Sequence, residues 1–263
     1  MKKVIAVMTW TVLAFLYLPI VSVIVSSFNA SADSRGWGGF TFSWYLTLIN
    51  DHGLIKSLQV SLIVGLIAST IATAVGFVSA LGLIRYRSKG KVVFLGAILL
   101  PLILPEIVLG ASLLSVFSTA KIPLSIATII AGHVVVTLPL TTLILLGSMN
   151  TLDPSLPEAA ADLGCTPWQT FTKVLFPLTR SAVLAAFLLT FTTSFSNIVI
   201  STFTSGVGST TLPLRIYSLL KTGITPEINA LGTLLIAATI IIIFAVGVTQ
   251  MRRILVGNDT DAT

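Results

Sequence analysis

Six apolar runs, each near or beyond the ~20 residues that a helix needs to cross a bilayer core, leave this chain few ways to fold. They fall at about 4–28, 57–84, 92–117, 122–147, 180–204 and 227–251 of its 263 residues. With 55% hydrophobic and only 9% charged residues, the chain cannot wrap such runs in a polar surface, because soluble domains carry roughly a quarter charged residues. The expected fold class is all-α and integral to the membrane, with six transmembrane helices in a single domain over 1–263. The first run follows Met1, Lys2 and Lys3. It exceeds the roughly 7–15 apolar residues of a signal-peptide core, so it reads as an anchor.

The net charge of +6 would suggest a nucleic-acid partner in a soluble chain. Here its distribution among the loops explains it, and no nucleic acid is expected. With both termini in the cytoplasm, Lys2, Lys3, Arg85, Arg87, Lys89, Lys91, Lys173, Arg180, Arg252 and Arg253 all lie inside. Only Arg35, Lys56, Lys121, Arg215 and Lys221 lie outside. Cytoplasmic enrichment in Lys and Arg sets membrane orientation, so the ends are placed inside. The loop 29–56 then faces outward, where Trp37, Trp44 and Tyr45 suit an interfacial helix. Pro19, Pro101, Pro105 and Pro139 sit in or beside spans and predict kinks.

Cys165 is the one cysteine, which excludes an internal disulfide and a cysteine-based metal cluster. His52 and His133 are too few for a histidine-rich site, so no metal is expected. His133, beside Gly132, reads as a neutral histidine packed inside the bundle. The chain has no Gly-x-x-x-x-Gly-Lys-Ser/Thr loop to cradle phosphates, no zinc-type His-Glu motif and no persuasive nucleophile–base pair. An intramembrane enzyme is therefore disfavoured, and a scaffold without transport activity remains an alternative.

The residues that interrupt this apolar pattern most sharply are 153–178, on the cytoplasmic side between the fourth and fifth spans. Asp153 or Ser155 can cap a first helix, with Pro157 in its first turn and Glu158 near its positive end. Ala159, Ala160 and Ala161 favour helix and leave a thin surface. Gly164 is suited to a left-handed stop. Thr166 then caps a second helix with Pro167 at its first position, running through Trp168, Phe171 and Val174 until Pro177 interrupts it. A thin, alanine-rich helix can enter a groove on another protein. An ordinary amphipathic connector would fit the same spacing.

Glu158-Ala159-Ala160, Gly164 and the "LFPL" of 175–178 resemble the EAA loop of ABC-importer permeases. The resemblance continues through "FLYLPIVSVIVSSFNAS" (15–31), "SWYLTL" (43–48), "LPEIVLGASLL" (104–114), "GHVVVTLP" (132–139) and "LPLRIYSLLKTGITPEINAL" (212–231). These segments are similar to the second membrane subunit of spermidine/putrescine importers. The resemblance implies that Glu158, Ala159, Ala160, Asp162 and Gly164 belong to a coupling helix gripped by a cytoplasmic ATPase. It also implies two ATPase subunits, a second homologous permease and an extracytoplasmic solute-binding protein. This chain itself would need no cofactor, with ATP and Mg residing on the ATPases.

Within that frame, four residues are candidates for the substrate pathway: Glu106, Ser194, Ser196 and Asn197. Glu106 is the acid inside a predicted span, and intramembrane ionisable groups usually face a cavity or a partner. Its alternative role is to bond a backbone group freed by the neighbouring prolines. Polyamine permeases typically carry an acidic pair where this chain has Ser196 and Asn197. That departure favours a zwitterionic or neutral solute, such as an amino-acid derivative, an opine or an aminophosphonate. The Ser and Asn side chains could equally stitch helices together. Arg215, Tyr217 and Lys221, with Glu227 beyond them, are candidates for binding-protein contact on the outer face, or simply a solvated rim.

Overall fold

The computed structural model describes residues 2–31, 36–85, 90–222 and 226–257, and for 222, 242–243 and 245–257 it gives the backbone alone. Arg35, Arg87 and Lys89 therefore lie outside the described residues, and Arg252 and Arg253 are placed only as helix backbone. Among the described residues every regular element is helical, apart from one isolated bridge between Asn29 and Phe40.

The helices are α1 (Lys2–Ser26), α2 (Ser43–Asn50), α3 (His52–Arg85), α4 (Lys91–Ile103), α5 (Glu106–Thr119) and α6 (Ile126–Met149). They continue with α7 (Leu156–Asp162), α8 (Pro167–Thr170), α9 (Phe176–Ser196), α10 (Val199–Thr204), α11 (Leu212–Thr222) and α12 (Pro226–Gly257). Between α8 and α9 the chain makes a π turn, Phe171–Leu175. The sequence meets the structure well at α1, α3 and α6. These helices, and the continuous run Pro167–Ser196, are long and apolar enough to cross a membrane. The bent pair α4–α5 would make a fifth span, and α12 is apolar over Pro226–Ile241, the part of it whose side chains are described without a gap.

Two expected spans depart from straight helices. The third, placed at 92–117, breaks at Leu104–Pro105 and turns through 107° between α4 and α5. Leu104, ahead of a proline, takes an extended backbone with ψ 141. Proline disfavours the helical region for the residue before it, which is why the helix stops there. The fifth, placed at 180–204, begins as early as Pro167 and breaks at Asn197, whose ψ is 117. Pro177 does not end the preceding helix as expected. The π turn absorbs it, with Phe176 N–H donating to the Phe171 carbonyl five residues back.

Contacts gather the chain into two compact units. In the first, residues 1–55 with 216–263, α1 and α2 both pack against α12. Ahead of α2, the Asn29 side chain ties down its loop, accepting from Ser31 and Gly38 N–H and donating to the Gly36 carbonyl. Trp44 Nε1 donates to the Asn29 carbonyl at 2.8 Å and the Tyr45 and Ser27 hydroxyls bond at 2.7 Å. Thus the aromatic pair expected in an interfacial helix does lie in α2, while Trp37 precedes it.

The second unit, residues 56–215, holds the polar and broken helices. Its core joins Phe77 and Ala80 of α3, Leu145 and Met149 of α6, and Ala186 of α9. Between these helices the buried groups are mostly hydroxyls. Thr137, Thr141, Thr142, Thr179 and Thr204 each donate to the carbonyl four residues back. This removes the cost of a bare hydroxyl in an apolar interior and lets small side chains bring helices close.

Candidate functional site

Two helix breaks face each other in the second unit, and polar side chains connect them. Glu106 opens α5 immediately after the Pro105 bend and is half-buried. Asn197 stands at the break between α9 and α10 and donates its side-chain amide to Glu106 Oε1. The Asn197 Oδ1 atom accepts from Ile200 N–H at 2.8 Å, capping the start of α10. One amide therefore starts a helix and holds a carboxylate. The carboxylate also sits at the positive end of α5, where a negative charge is favoured.

His133 braces the same break from α6. Its ring Nδ1 lies 2.7 Å from the Ser194 hydroxyl in α9 and its Nε2 lies 3.0 Å from the Ser201 hydroxyl in α10. The ring is 1% exposed, so both nitrogens depend on these serines for partners. Two further bonds extend the seam. Thr141 and Thr190 hydroxyls meet at 2.7 Å, and Thr128 donates to the Thr204 carbonyl at 2.8 Å. Gly132 admits α10 to this seam: a Cβ on it would fall 2.7 Å from Ile200 Cγ2. The chemistry of the seam is a single carboxylate beside hydroxyls and an amide, suited to holding a polar or cationic group.

Of the four sequence-selected pathway residues, the structure joins Glu106 and Asn197 directly. Ser194 is buried and engaged by His133. Ser196 is exposed and bonds back to the Thr192 carbonyl at 2.9 Å. The packed role expected of His133 agrees with its burial, but its span across the break was not visible in the sequence. Ser201, Thr141 and Thr190 were missed altogether. Their only signal was hydroxyl residues recurring in apolar runs, which many packed helices share.

The residues 153–178 form the helix–turn–helix knob read from the sequence, with local differences. No side chain caps α7. Instead Asp153 Oδ1 accepts from both the N–H and the hydroxyl of Ser155, at 2.9 and 2.8 Å. Those bonds hold the Asp153 carboxyl below its ordinary pKa, the backbone N–H first and the hydroxyl second. At the other end, Gly164 takes φ +82. Gly164 N–H bonds to the Ala161 carbonyl and Cys165 N–H to that of Ala160, closing the helix in a Schellman turn. Thr166 accepts from Gln169 N–H while Gln169 Oε1 accepts from Thr166 N–H, a complete capping box.

On this knob Glu158, Ala159, Asp162 and Gly164 are exposed, whereas Ala160 is 6% exposed and packs inward. Leu163, which sequence reasoning passed over, is 86% exposed, and Trp168, read from the sequence only as part of the second helix, is 69% exposed. Trp168 stacks on Phe171 with ring centroids 5.4 Å apart. Arg215, Tyr217 and Lys221 all belong to α11. Lys221 Nζ lies 4.6 Å from the Tyr217 ring centroid, a cation–π contact. Arg215 is half-buried, with its Nε lacking a hydrogen-bond partner among the described residues.

Residues 72–256 match the family model of the binding-protein-dependent transport system inner membrane component. The chain is 38% identical over 234 residues to the spermidine/putrescine transport system permease protein PotC of Haemophilus influenzae. The match covers 89% of this chain and 91% of that relative. It is 34% identical to the putrescine transport system permease protein PotI of Escherichia coli, covering 88% and 84% of the two chains. Among solved structures it resembles, with a TM-score of 0.72 and 15% identity, a chain of a bacterial ABC transporter involved in the import of the acidic polysaccharide alginate. That likeness covers 96% of this chain and 94% of the other. A second alginate transporter structure, in complex with an alginate pentasaccharide-bound periplasmic protein, aligns with a TM-score of 0.70 over 93% and 91% of the chains at the same identity.

Proposed function

Because the chain belongs to the family of inner membrane components of binding-protein-dependent transport systems, we propose that it forms half of the translocation pathway of an ATP-driven polyamine importer. As a member of that family it is a multi-pass transport subunit of the inner membrane and not an enzyme. The single observation that carries the polyamine reading is the 38% identity to a spermidine/putrescine permease across 89% of the chain. The Glu106 carboxylate fits that reading, since a carboxylate offers an ammonium group a charged partner in a water-poor path.

In this reading the whole chain is one permease domain with both termini in the cytoplasm. One of two ATPases grips the knob through the exposed Glu158, Ala159, Asp162 and Gly164, with exposed Leu163 adding apolar area, while the expected contact of Ala160 gives way to inward packing that seats the helix. A second, homologous permease completes the pathway, and a solute-binding protein delivers cargo to Arg215, Tyr217 and Lys221. ATPase closure draws the knobs together and rocks the bundles, giving access to a midplane site from alternate sides. Cargo shifts that equilibrium only by binding the two states unequally.

A second reading keeps the transporter and changes the cargo. The Asn197 amide already occupies Glu106, and Ser196 brings no charge, so one negative group must serve a di- or trication. A zwitterion such as an amino-acid derivative, opine or aminophosphonate needs only one.

One experiment tests both. Cells carrying the complete transport system, with and without this chain, are assayed for uptake of radiolabelled putrescine and spermidine. Loss of uptake on deletion and its return on complementation support the polyamine reading. Uptake that does not depend on the chain overturns it, and strong competition by a zwitterion but not by unlabelled polyamine favours the second.

A further inference from the structure

We propose that an anionic phospholipid occupies the groove between α3 and α9, with one acyl chain among its phenyl rings and its phosphate on Arg180. The groove has a volume of about 610 Å³ and is lined by Thr73, Phe77, Phe171, Phe176, Arg180 and Phe187, among others. That volume lies in the range of ~300–1,000 Å³ that ligand sites occupy. It is a built feature of the fold. The π turn adds a residue to the helix wall, and such turns are frequent at functional sites. Phe77 closes the groove edge-on against Phe171, with centroids 5.4 Å apart and planes at 88°.

Three observations select the occupant. Val78, Phe176 and Leu184 line the groove and are exposed, so it opens on the face of two apolar helices, where a bilayer supplies acyl chains. Arg180 is exposed and makes no ion pair or hydrogen bond among the described residues. A guanidinium in a span is costly unless it meets an anion, and its planar fork matches a phosphate. Thr73, only 6% exposed, keeps a buried hydroxyl without a hydrogen-bond partner and faces the same groove. An ester carbonyl of the lipid glycerol would satisfy it. In the proposed orientation Arg180 is on the cytoplasmic side, where anionic headgroups attract basic side chains. The inference rests on the membrane placement of the family and is independent of the cargo.

The test uses the complete transporter in nanodiscs containing photoactivatable phosphatidylglycerol or phosphatidylcholine with identical chains. Peptides from 70–78 and 176–187 are expected to label about fivefold more strongly with phosphatidylglycerol, the scale of one basic side chain at an anionic surface. Arg180→Gln should erase that preference and leave residual labelling by both lipids. Arg180→Lys should restore part of it, and Val183→Trp should fill the groove and abolish labelling by either. Equal labelling of the wild type by the two lipids, or a preference that survives Arg180→Gln, overturns the proposal. So does a cross-link from a photoreactive residue at position 184 to another subunit in place of lipid. Binding-protein-stimulated ATP hydrolysis measured on the same nanodiscs reports separately on the importer reading.

Discussion

Asn197 donates its side-chain amide to the carboxylate of Glu106, joining two helix breaks that lie 91 residues apart in the sequence. An ionised group inside a span costs about 2.5–3.5 kcal/mol on insertion scales, and a hydrogen bond from a neighbour offsets part of that. The amide is itself held by Ile200 N–H, so the carboxylate is fixed before any cargo arrives. Preorganised polar groups bind more tightly because their ordering cost is already met.

Glu106→Gln separates the charge from this geometry. Glutamine still offers Asn197 an acceptor, so assembly should be unchanged while attraction for a cation is lost. Initial polyamine uptake is expected to fall at least about tenfold, equivalent to ~1.4 kcal/mol. Uptake rates normalised to the amount of assembled complex measure it. Undiminished uptake would remove Glu106 from the pathway.

His133 should matter through stability. His133→Leu removes both the Ser194 and Ser201 contacts. Ser201 keeps its bond to the Asn197 carbonyl at 2.9 Å, but Ser194 is left buried without this partner. Membrane side-chain bonds average ~0.6 kcal/mol, and an orphaned buried group costs about 1–3 kcal/mol. Ser194→Ala also orphans a buried group, His133 Nδ1, but deletes one bond where His133→Leu deletes two, so His133→Leu should unfold at the lower temperature. Equal midpoints for both variants and wild type would show that the brace contributes nothing.

Gly164→Ala tests the knob through its backbone. A Cβ at Gly164 would meet nothing within 4 Å, so sterics with neighbours play no part. The strain comes from φ +82, a region that costs an L-residue roughly 1–2 kcal/mol. The turn should loosen, reducing both ATPase co-purification and binding-protein-stimulated hydrolysis. Ala159→Glu should do the same by obstructing close approach. If both variants retain ATPase and uptake, the knob is not the coupling element.

Much of this architecture was legible because its signals are local. Gly164, Thr166 and Pro167 each specify a backbone conformation or cap within a few residues, and all three were read correctly from the sequence. Helical apolar runs likewise announced α1, α3 and α6. The breaks were harder, because Pro101, Pro105, Pro139 and Pro177 carry the same local signal with different outcomes. Pro101 and Pro139 remain inside helices, Pro105 follows a 107° bend, and Pro177 sits after a π turn. Packing against distant elements decides among them. The His133–Ser194 and Asn197–Glu106 pairs are also long-range, so nothing in their immediate sequence distinguishes them from other polar groups in spans.

Pro177 supplies the most direct test of how the knob is phased against the bundle. Lacking an N–H, it cannot donate to the Lys173 carbonyl as an α-helical residue would, and the chain takes a wider turn in which Phe176 N–H reaches Phe171. Pro177→Ala restores that donor and permits an α-helical register. Losing the one-residue offset would rotate α8 and the attached knob by about 100° about the α9 axis and shift them about 1.5 Å along it. The helix should become more stable, by up to ~3 kcal/mol, while uptake falls because the knob faces the wrong way. Cysteines placed at 77 and 171, whose rings now stack edge to face, report the phase through a short bismaleimide in a Cys165→Ser background. Cross-linking should drop sharply in the Pro177→Ala variant. Unchanged cross-linking together with normal uptake would mean that the π turn does not set the orientation of the knob.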